Sequence, residues 1–197
     1  MFVTFEGLDG SGKTTQAELL AEALRGEGRE VVLTREPGGT ALGEQIRAIL
    51  LNGHDMSAWA EAGLFAAARA ELVERVIAPA LVSGQDVVCD RYIDSSLAYQ
   101  GIARDLGVDR VLELNLHATR GLLPDRTILV LVDPETAIAR SKSSDRIERE
   151  SGEFHRAVDA AYRSLAAMFP NRISTVDGSQ PATHVAEQIR GLVRDLS

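Results

Sequence analysis

One stretch near the start of the chain decides the fold: Gly7-Leu8-Asp9-Gly10-Ser11-Gly12-Lys13-Thr14-Thr15. The apolar run Met1–Phe5 comes before it and predicts a strand, and Gln16–Leu24 after it repeats apolar residues at helical spacing. The stretch satisfies the pattern G-x-x-x-x-G-K-[ST] in the strand–loop–helix context that this pattern needs. Its glycines let several backbone N–H groups face one anion, and the helix N-terminus adds partial positive charge.

These nine residues therefore predict a phosphate-binding loop for a nucleotide, the alternative being a tight turn with an incidental lysine. Lys13 would supply a compact cation for the outer phosphates, and the Thr14 hydroxyl would ligate Mg²⁺. The chain has only two lysines, Lys13 and Lys142, beside nineteen arginines. Keeping a lysine here fits a position that needs a point charge rather than a guanidinium.

The composition favours a single α/β domain spanning 1–197, long enough to bury a core. The net charge of −8 argues against nucleic acid as a partner, since such binders usually carry a basic patch. The single cysteine, Cys89, excludes an internal disulfide framework and is expected in the core. With no signal peptide and no apolar run of membrane-spanning length, we expect a cytoplasmic protein without a membrane partner.

Further apolar runs predict the rest of a parallel sheet of about five strands, flanked by helices, as in P-loop NTPases. They are Val31–Thr34, Asp86–Asp90, Arg126–Val132 and Arg172–Val176. Parallel sheets bind ligands at the carboxyl ends of their strands, which directs attention to the polar residues there.

Two loops after strands carry charge. Arg35 could clamp a phosphate and Pro37 could present a flat apolar face, although a plain strand-to-helix turn would have the same composition. Asp90 is suited to the water shell of Mg²⁺ or to orienting Arg91, which could neutralise phosphates on two ligands. A buried ion pair is the structural alternative.

Two helical segments carry side chains suited to a nucleoside. Phe65 and Arg69 lie four residues apart, so they share a helix face and could stack on a base and bond its edge. Ser96, Tyr99 and Gln100 follow the Asp90 strand and add a ring and hydrogen-bonding groups. The alternatives are a core phenylalanine with a surface arginine, and ordinary capping and packing.

The segment of about 140–152 is polar, Ser-rich and dense in charge. It could form a mobile lid that carries arginines over the transferred phosphate, or a solvated linker. Its cations are Arg140, Lys142, Arg146 and Arg149.

Across essentially its whole length the sequence resembles the thymidylate kinase family, in the nucleoside monophosphate kinase group of P-loop proteins. Only the phosphate loop is common to many families, whereas the ordered set of motifs is specific. The set comprises Gly7–Thr14, Arg35–Thr40, Leu64-Phe65 with Arg69, Asp90-Arg91-Tyr92 with Ser96, Tyr99, Gln100 and Gly101, Ala118-Thr119, Gly121-Leu122, Pro124-Asp125, Asp133-Pro134 and Asp145–Glu148.

The resemblance implies a role for each matching position. Phe65 would stack on thymine, Arg69 would bond its exocyclic oxygen, and Ser96 and Gln100 would lie near the base edge or sugar. Tyr99 would sit against the deoxyribose. Arg35 and Arg91 would hold the monophosphate, and Asp9 would lie near the acceptor and, with Thr14 and Asp90, in the Mg²⁺ network.

The phosphate loop has no arginine, so the sequence resembles the subgroup whose lid arginines aid catalysis. The lid run is shortened to Arg140-Ser-Lys142-Ser-Ser, and Arg120 stands where the family usually has glycine. The implied activity is ATP-dependent phosphorylation of dTMP to dTDP for dTTP synthesis, with Mg²⁺, by a homodimer. Another nucleoside monophosphate or deoxynucleoside kinase, or a P-loop switch, remains open, although the Asn-Lys pair that GTPase switches use for guanine does not occur.

Overall fold

The computed structural model describes residues 1–141 and 145–196. Lys142, one of the predicted lid cations, lies outside the described residues. The strands are β1 (Phe2–Glu6), β2 (Val31–Arg35), β3 (Asp86–Asp90), β4 (Arg126–Leu131) and β5 (Ile173–Asp177). The helices are α1 (Lys13–Gly26), α2 (Ala41–Asn52), α3 (Ala58–Leu72), α4 (Ala78–Val82), α5 (Ile93–Ser96), α6 (Val108–Ala118), α7 (Pro134–Arg140), α8 (Gly152–Met168) and α9 (Ala182–Val193).

The five strands form one parallel sheet in the order β2-β3-β1-β4-β5, which confirms the predicted α/β class. The chain leaves β1 through α1, crosses over β3 to reach the edge strand β2, and returns to β3 beside β1. It then crosses to the other side of β1 and adds β4 and β5. The reversal brings the loops after β1 and β3 together, which is where open parallel sheets bind ligands.

Helices cover both faces of the sheet, so its inner strands are apolar almost throughout. On one face Val3 and Phe5 of β1 pack with Leu20 of α1 and Ile189 of α9. On the other face a core that includes Leu129 and Tyr162 joins β4 to α8. Cys89 is fully buried, as expected.

Two helical segments differ from the ordinary α-helices that the sequence predicts. Val73–Ile77, between α3 and α4, and Leu97–Ala103, after α5, are π-helical. The backbone hydrogen bonds of a π-helix span one more residue than those of an α-helix, and such segments are frequent at functional sites. The second segment carries Tyr99 and Gln100, so its geometry sets how these side chains meet the cavity described next.

Candidate active site

A cavity of about 310 Å³ lies at the carboxyl ends of β1, β2 and β3. Most of the predicted site residues line it, and they come from loops and helices far apart in the sequence. Those that do are Asp9, Lys13, Thr14, Arg35, Pro37, Phe65, Asp90, Arg91, Ser96, Tyr99 and Gln100. Lys13, Phe65 and Arg91 therefore share one cavity, as a site that joins a phosphate loop to a base pocket requires.

The phosphate loop is held so tightly that side chains are excluded at two of its glycines. A Cβ on Gly7 would lie 2.4 Å from the Val130 carbonyl oxygen, and one on Gly10 would lie 2.1 Å from that of Ala137. Both glycines also have positive φ. The rest of the loop turns into α1: Leu8 is buried, the Ser11 N–H bonds the Leu8 carbonyl, and Gly12, Thr14 and Thr15 are exposed around the helix start.

One carboxylate joins the two cations at this end of the cavity. Asp9 Oδ1 accepts from Lys13 Nζ at 2.6 Å and from an Arg91 terminal nitrogen at 2.7 Å. Burial opposes ionisation of Asp9, but the charges of Arg91 and Lys13 outweigh it and hold its pKa well below the usual range. Asp9 thus occupies the place between two cations that an anionic ligand would favour.

Arg91 has a left-handed backbone, with φ of 71° at the end of β3, and it is held from several sides. Its backbone N–H donates to the Phe5 carbonyl oxygen at 2.9 Å. In the side chain, the guanidinium nitrogen that does not contact Asp9 donates to Ser95 Oγ at 3.0 Å and to the Tyr162 hydroxyl at 3.1 Å. Arg91 therefore reaches the cavity with its direction fixed. One interpretation of the sequence was that Asp90 orients Arg91, but in the structure Arg91 pairs with Asp9.

The anchor behind Arg91 is Glu6, the last residue of β1. Its buried carboxylate accepts from Ser95 Oγ at 2.6 Å, from the Tyr162 hydroxyl at 2.8 Å and from the N–H groups of Tyr92 and Ser95. Burial and the nearby charge of Asp94 raise the pKa of Glu6 to about 7. Nothing in the local sequence marks Glu6 or Tyr162, because they meet only through the fold.

Thr14 and Asp90 form the polar floor of the cavity. The Thr14 hydroxyl donates to Asp90 Oδ2 at 2.5 Å, while Asp90 Oδ1 is buried and has no hydrogen-bond partner among the described residues. Mg²⁺ is usually held by one or two carboxylates together with substrate phosphates and water. A hydroxyl beside a carboxylate with a free oxygen fits that donor set, whereas no cluster of three or more His, Cys, Asp or Glu suited to a metal occurs in the described ranges.

Arg35 and Pro37 occupy the β2 side of the cavity. The Arg35 guanidinium is half exposed, pairs with Glu44 at 3.0 Å and donates to the Pro37 carbonyl oxygen. Arg47 on α2, which sequence reasoning missed, donates to the same carbonyl at 2.9 Å and also lines the cavity. Burial, together with the charge of Arg35, lowers the pKa of Arg47.

Arg69 lies behind the cavity wall rather than on it, which differs from the prediction. It is 1% exposed, and its five N–H donors are occupied by Glu36, Ser96, Asn115 and the Tyr92 carbonyl oxygen. Burial without a carboxylate would cost a guanidinium several kcal/mol, so Arg69 turns to Glu36. Through Ser96, which does line the cavity, it still influences the site.

The three described lid arginines do not line this cavity. Arg146 is buried, with its guanidinium on Glu61 at 2.6 Å and on the Leu50 carbonyl oxygen at 2.9 Å. Arg140 is exposed and donates to the Gly178 carbonyl oxygen, and Arg149 is exposed. The sequence suggested that Arg146 extends over the transferred phosphate. In the structure its guanidinium instead binds the buried carboxylate of Glu61, which competes with a phosphate for its charge.

Fold and cavity together define a class: a P-loop NTPase-type nucleotide-binding protein with a second, ring-lined compartment beside the phosphate loop. No helix among residues 1–141 and 145–196 is long and apolar enough to cross a membrane.

Comparisons with known proteins then narrow the class. A sequence profile described as thymidylate kinase matches residues 5–189. The chain is 50% identical over 194 residues to a thymidylate kinase of Synechococcus sp. (strain JA-3-3Ab), covering 98% of this chain and 95% of that one. It is 52% identical over 195 residues to a thymidylate kinase of Leifsonia xyli, covering 96% and 92%. A crystal structure of thymidylate kinase from Ehrlichia chaffeensis superposes with a TM-score of 0.82 at 34% identity, covering 98% of each chain. The chain belongs to the thymidylate kinase family.

Proposed function

We propose that this protein transfers the γ-phosphoryl group of ATP to dTMP, giving ADP and dTDP. The observation that carries the proposal is one cavity lined by two groups of residues: Lys13, Asp9 and Arg91, here called the phosphate end, and Phe65, Tyr99 and Gln100, here called the base end. Such a cavity offers charge for two polyanions and a ring-lined compartment for a base. Membership of the thymidylate kinase family supports the choice of substrates.

ATP would bind through its phosphates on the loop from Gly7 to Thr15. The loop backbone would cradle them, and Lys13 would neutralise the outer oxygens. Arg140 lies next to this loop, since its partner Gly178 packs so closely that a Cβ there would lie 2.8 Å from the Ser11 carbonyl oxygen. It is therefore the described lid arginine best placed to approach ATP.

The monophosphate would take the place of Asp9 between the cations. Arg91 and Arg35 would bind its oxygens, with Phe65 against the base and Tyr99 beside the sugar. Arg91 already lies with its guanidinium carbon 5.5 Å from the Tyr99 ring centre, so phosphate and sugar contacts come from adjoining groups. Arg47 adds a further cation at the same wall.

The acceptor is a phosphate oxygen and needs no general base. A phosphate monoester loses its second proton near pH ~6, so this oxygen is already largely ionised at neutral pH. The barrier is repulsion between two polyanions and the alignment of their reacting atoms. Lys13 and Arg91 lower it by neutralising charge from fixed positions.

Mg²⁺ is part of the proposal, with Thr14 and Asp90 as its protein partners. When bound, it would supply positive charge to the phosphoryl oxygens. The buried, unpartnered Asp90 Oδ1 supports this role. Asp9 stays a candidate for the same network through the carboxylate oxygen that does not face Lys13.

A homodimer with a mobile lid completes the proposal, in a cytoplasmic location where free ATP is available. The exposed side of α3 carries Trp59, Gly63 and Ala67 at intervals of four, a surface of small residues and one large ring on which a second helix could pack. Sedimentation equilibrium of the wild type and of Ala67→Glu tests this, since a charge in such a contact should favour the monomer.

The activity is tested by following ADP release in the presence of dTMP, dCMP, dAMP, dGMP or thymidine, and with no acceptor. We expect release that depends on dTMP and Mg²⁺. Turnover of thymidine with a loss of rate at acidic pH would indicate a nucleoside kinase that needs a base. ADP release independent of any acceptor would indicate a P-loop switch instead.

A further inference from the structure

We propose that Glu61, a carboxylate behind the cavity wall, is a positioning residue that turns the amide of Gln100 so that the site selects a base carrying N–H at N3. The inference rests on the proposed function and extends it from the substrate class to the atoms that are read. Glu61 does not line the cavity and acts through Gln100, which does. Thymine carries such an N–H, whereas cytosine has an unprotonated acceptor at N3.

Glu61 sits on α3 with 2% of its surface exposed, surrounded by donors. Its Oε1 accepts from Gln100 Nε2 at 2.8 Å and from Arg104 Nε at 3.3 Å. Its Oε2 accepts from Arg146 at 2.6 Å and from Arg104 at 3.3 Å. Burial alone would raise the pKa of Glu61. The hydrogen bonds from Gln100 and Arg146 and the charge of Arg104 lower it by more than burial raises it, so the net shift of the pKa is downward. The group is therefore ionised at neutral pH.

An ionised carboxylate only accepts hydrogen bonds, so the end of the Gln100 amide that meets Glu61 must be the NH₂ group. A reversed amide would oppose two acceptors in a buried place, at a cost comparable to a lost hydrogen bond with a charged group. The carbonyl oxygen of Gln100 makes no hydrogen bond within the described part of the chain, and it is not fully enclosed. Gln100 therefore offers the cavity an acceptor.

A second buried carboxylate gives the neighbouring residue the matching polarity. Ser96 Oγ accepts from Arg69 at 2.9 Å, and Arg69 is held by Glu36 at 2.6 Å. An arginine cannot accept a hydrogen bond, so the Ser96 hydroxyl keeps its proton for another partner. Ser96 also lines the cavity, which therefore receives a donor from Ser96 as well as the acceptor of Gln100, four residues further along the chain.

This pair matches one pyrimidine edge and opposes the other. Thymine presents the N3 hydrogen and the O4 acceptor, which complement an acceptor and a donor in that order. Cytosine presents an N3 acceptor and an amino donor, which reverses both. dTMP and 5-methyl-dCMP differ only at these atoms, so the ratio of their kcat/KM values measures how well the edge is read.

The experiment compares this ratio in the wild type and in Glu61→Gln. A glutamine at 61 can donate as well as accept, so it tolerates either orientation of Gln100. We expect the ratio to fall at least about tenfold, mainly because 5-methyl-dCMP becomes a better substrate. Arg104→Met is the matched control, because it removes two hydrogen bonds to Glu61 and leaves the carboxylate in place. It should keep the ratio within about twofold of wild type.

If Glu61→Gln is poorly folded, Glu61→Gln/Arg146→Met removes the guanidinium left without its partner and is expected to show the same change. Binding of both nucleotides in the absence of ATP, by calorimetry, should reproduce the ratio. An unchanged ratio in a folded Glu61→Gln protein that phosphorylates dTMP would overturn the inference alone. A wild type unable to phosphorylate dTMP would overturn the proposed function instead.

Discussion

The two ends of the cavity handle charge in opposite ways. At the phosphate end the cations Lys13 and Arg91 face the cavity, and their shared partner Asp9 has 37% of its side chain exposed. At the base end the carboxylates of Glu61 and Glu36 are 2% and 3% exposed, and each is paired with an arginine behind the wall. The first arrangement leaves cations that an incoming anion can reach, while the second holds both guanidiniums, those of Arg69 and Arg146, away from the cavity lining.

The difference reflects what each end must recognise. A phosphate is bound by net positive charge, so the cations must be exchangeable between Asp9 and the ligand. A base is uncharged, and an unpaired charge beside it would only incur a desolvation cost. The buried carboxylates instead fix the direction of neutral groups such as Gln100 and Ser96. The predictions below separate loss of function at the first end from loss of stability at the second.

Removing the cation of the phosphate loop should have the largest effect. We expect Lys13→Met to lower kcat/KM for dTMP phosphorylation by roughly a thousandfold, since fixed charge at a transferring phosphoryl group supplies much of the rate. The free energy of unfolding should change by less than about 1 kcal/mol, because the Lys13–Asp9 pair is partly exposed. The measurements are coupled ADP release and urea unfolding.

The matched control is Arg25→Met, which removes an exposed cation at the other end of α1. Its activity should stay within about twofold of wild type. Normal dTMP phosphorylation by a folded Lys13→Met protein would remove the phosphate end from the mechanism.

Breaking the buried pair at the base end should act on stability. Arg146→Met leaves Glu61 with one partner fewer in a buried place, and we expect the free energy of unfolding to fall by about 3 kcal/mol. Arg149→Met, three residues away and exposed, should cost less than about 0.5 kcal/mol. A hundredfold loss of kcat in Arg146→Met without a change in unfolding would instead support the lid role that the sequence suggested.

Glu6, the anchor of Arg91, should make the stability of the phosphate end depend on pH. Burial and the charge of Asp94 raise its pKa to about 7, from an ordinary value near ~4.3. Between these values the folded protein holds a proton that the unfolded chain has released. The resulting stability is therefore fully present below pH ~4 and is lost as the pH rises through 7.

We expect the wild type to lose on the order of 2–3 kcal/mol more unfolding free energy than Glu6→Gln between pH 5 and pH 8. Urea unfolding at both pH values measures the difference. Glu18→Gln, on the exposed side of α1, serves as the control and should follow the wild type. Parallel pH profiles for wild type and Glu6→Gln would mean that Glu6 is ionised throughout this range.

The phosphate end could be predicted from the sequence because its information is local. The residues from Gly7 to Thr15 are consecutive, and Asp90 and Arg91 end a strand of a parallel sheet whose carboxyl ends must meet. Phe65 lies on the cavity wall as expected, but Arg69, four residues further along the same helix, lies behind it, so helical spacing alone does not decide which of the two reaches the cavity.

The contacts that hold these side chains in place could not be predicted, because they join residues far apart in the chain. Arg69 meets Glu36 across 33 positions, Arg146 meets Glu61 across 85, and Tyr162 meets Glu6 across 156. Helical spacing suggested Arg69 as a ligand for the base, and the charged segment of about 140–152 suggested Arg146 for the phosphate, but a buried carboxylate creates a stronger local demand for the charge of each. Only packing decides which cations face the ligand and which face the core.

Arg120 tests the weakest kind of charge pairing in the chain and should show the smallest effect. It follows α6 with a positive φ of 53°, a conformation that side chains disfavour by about 1 kcal/mol and glycine does not. Its ion pair with Glu74 at 3.0 Å is exposed on both sides and contributes little. We expect Arg120→Gly to raise the free energy of unfolding by roughly 0.5 kcal/mol, after the greater freedom of glycine in the unfolded chain is counted.

Arg120→Ala separates the two contributions. It removes the same ion pair but keeps the Cβ in the left-handed conformation, so it should be less stable than Arg120→Gly by about 0.5–1 kcal/mol. If alanine proved as stable as glycine, the backbone would not be strained there, and a large loss of stability in Arg120→Ala relative to the wild type would then show a strong pair with Glu74. An exposed pair of that strength would also weaken the contrast drawn between the two ends of the cavity, since exposure would no longer separate exchangeable charges from fixed ones.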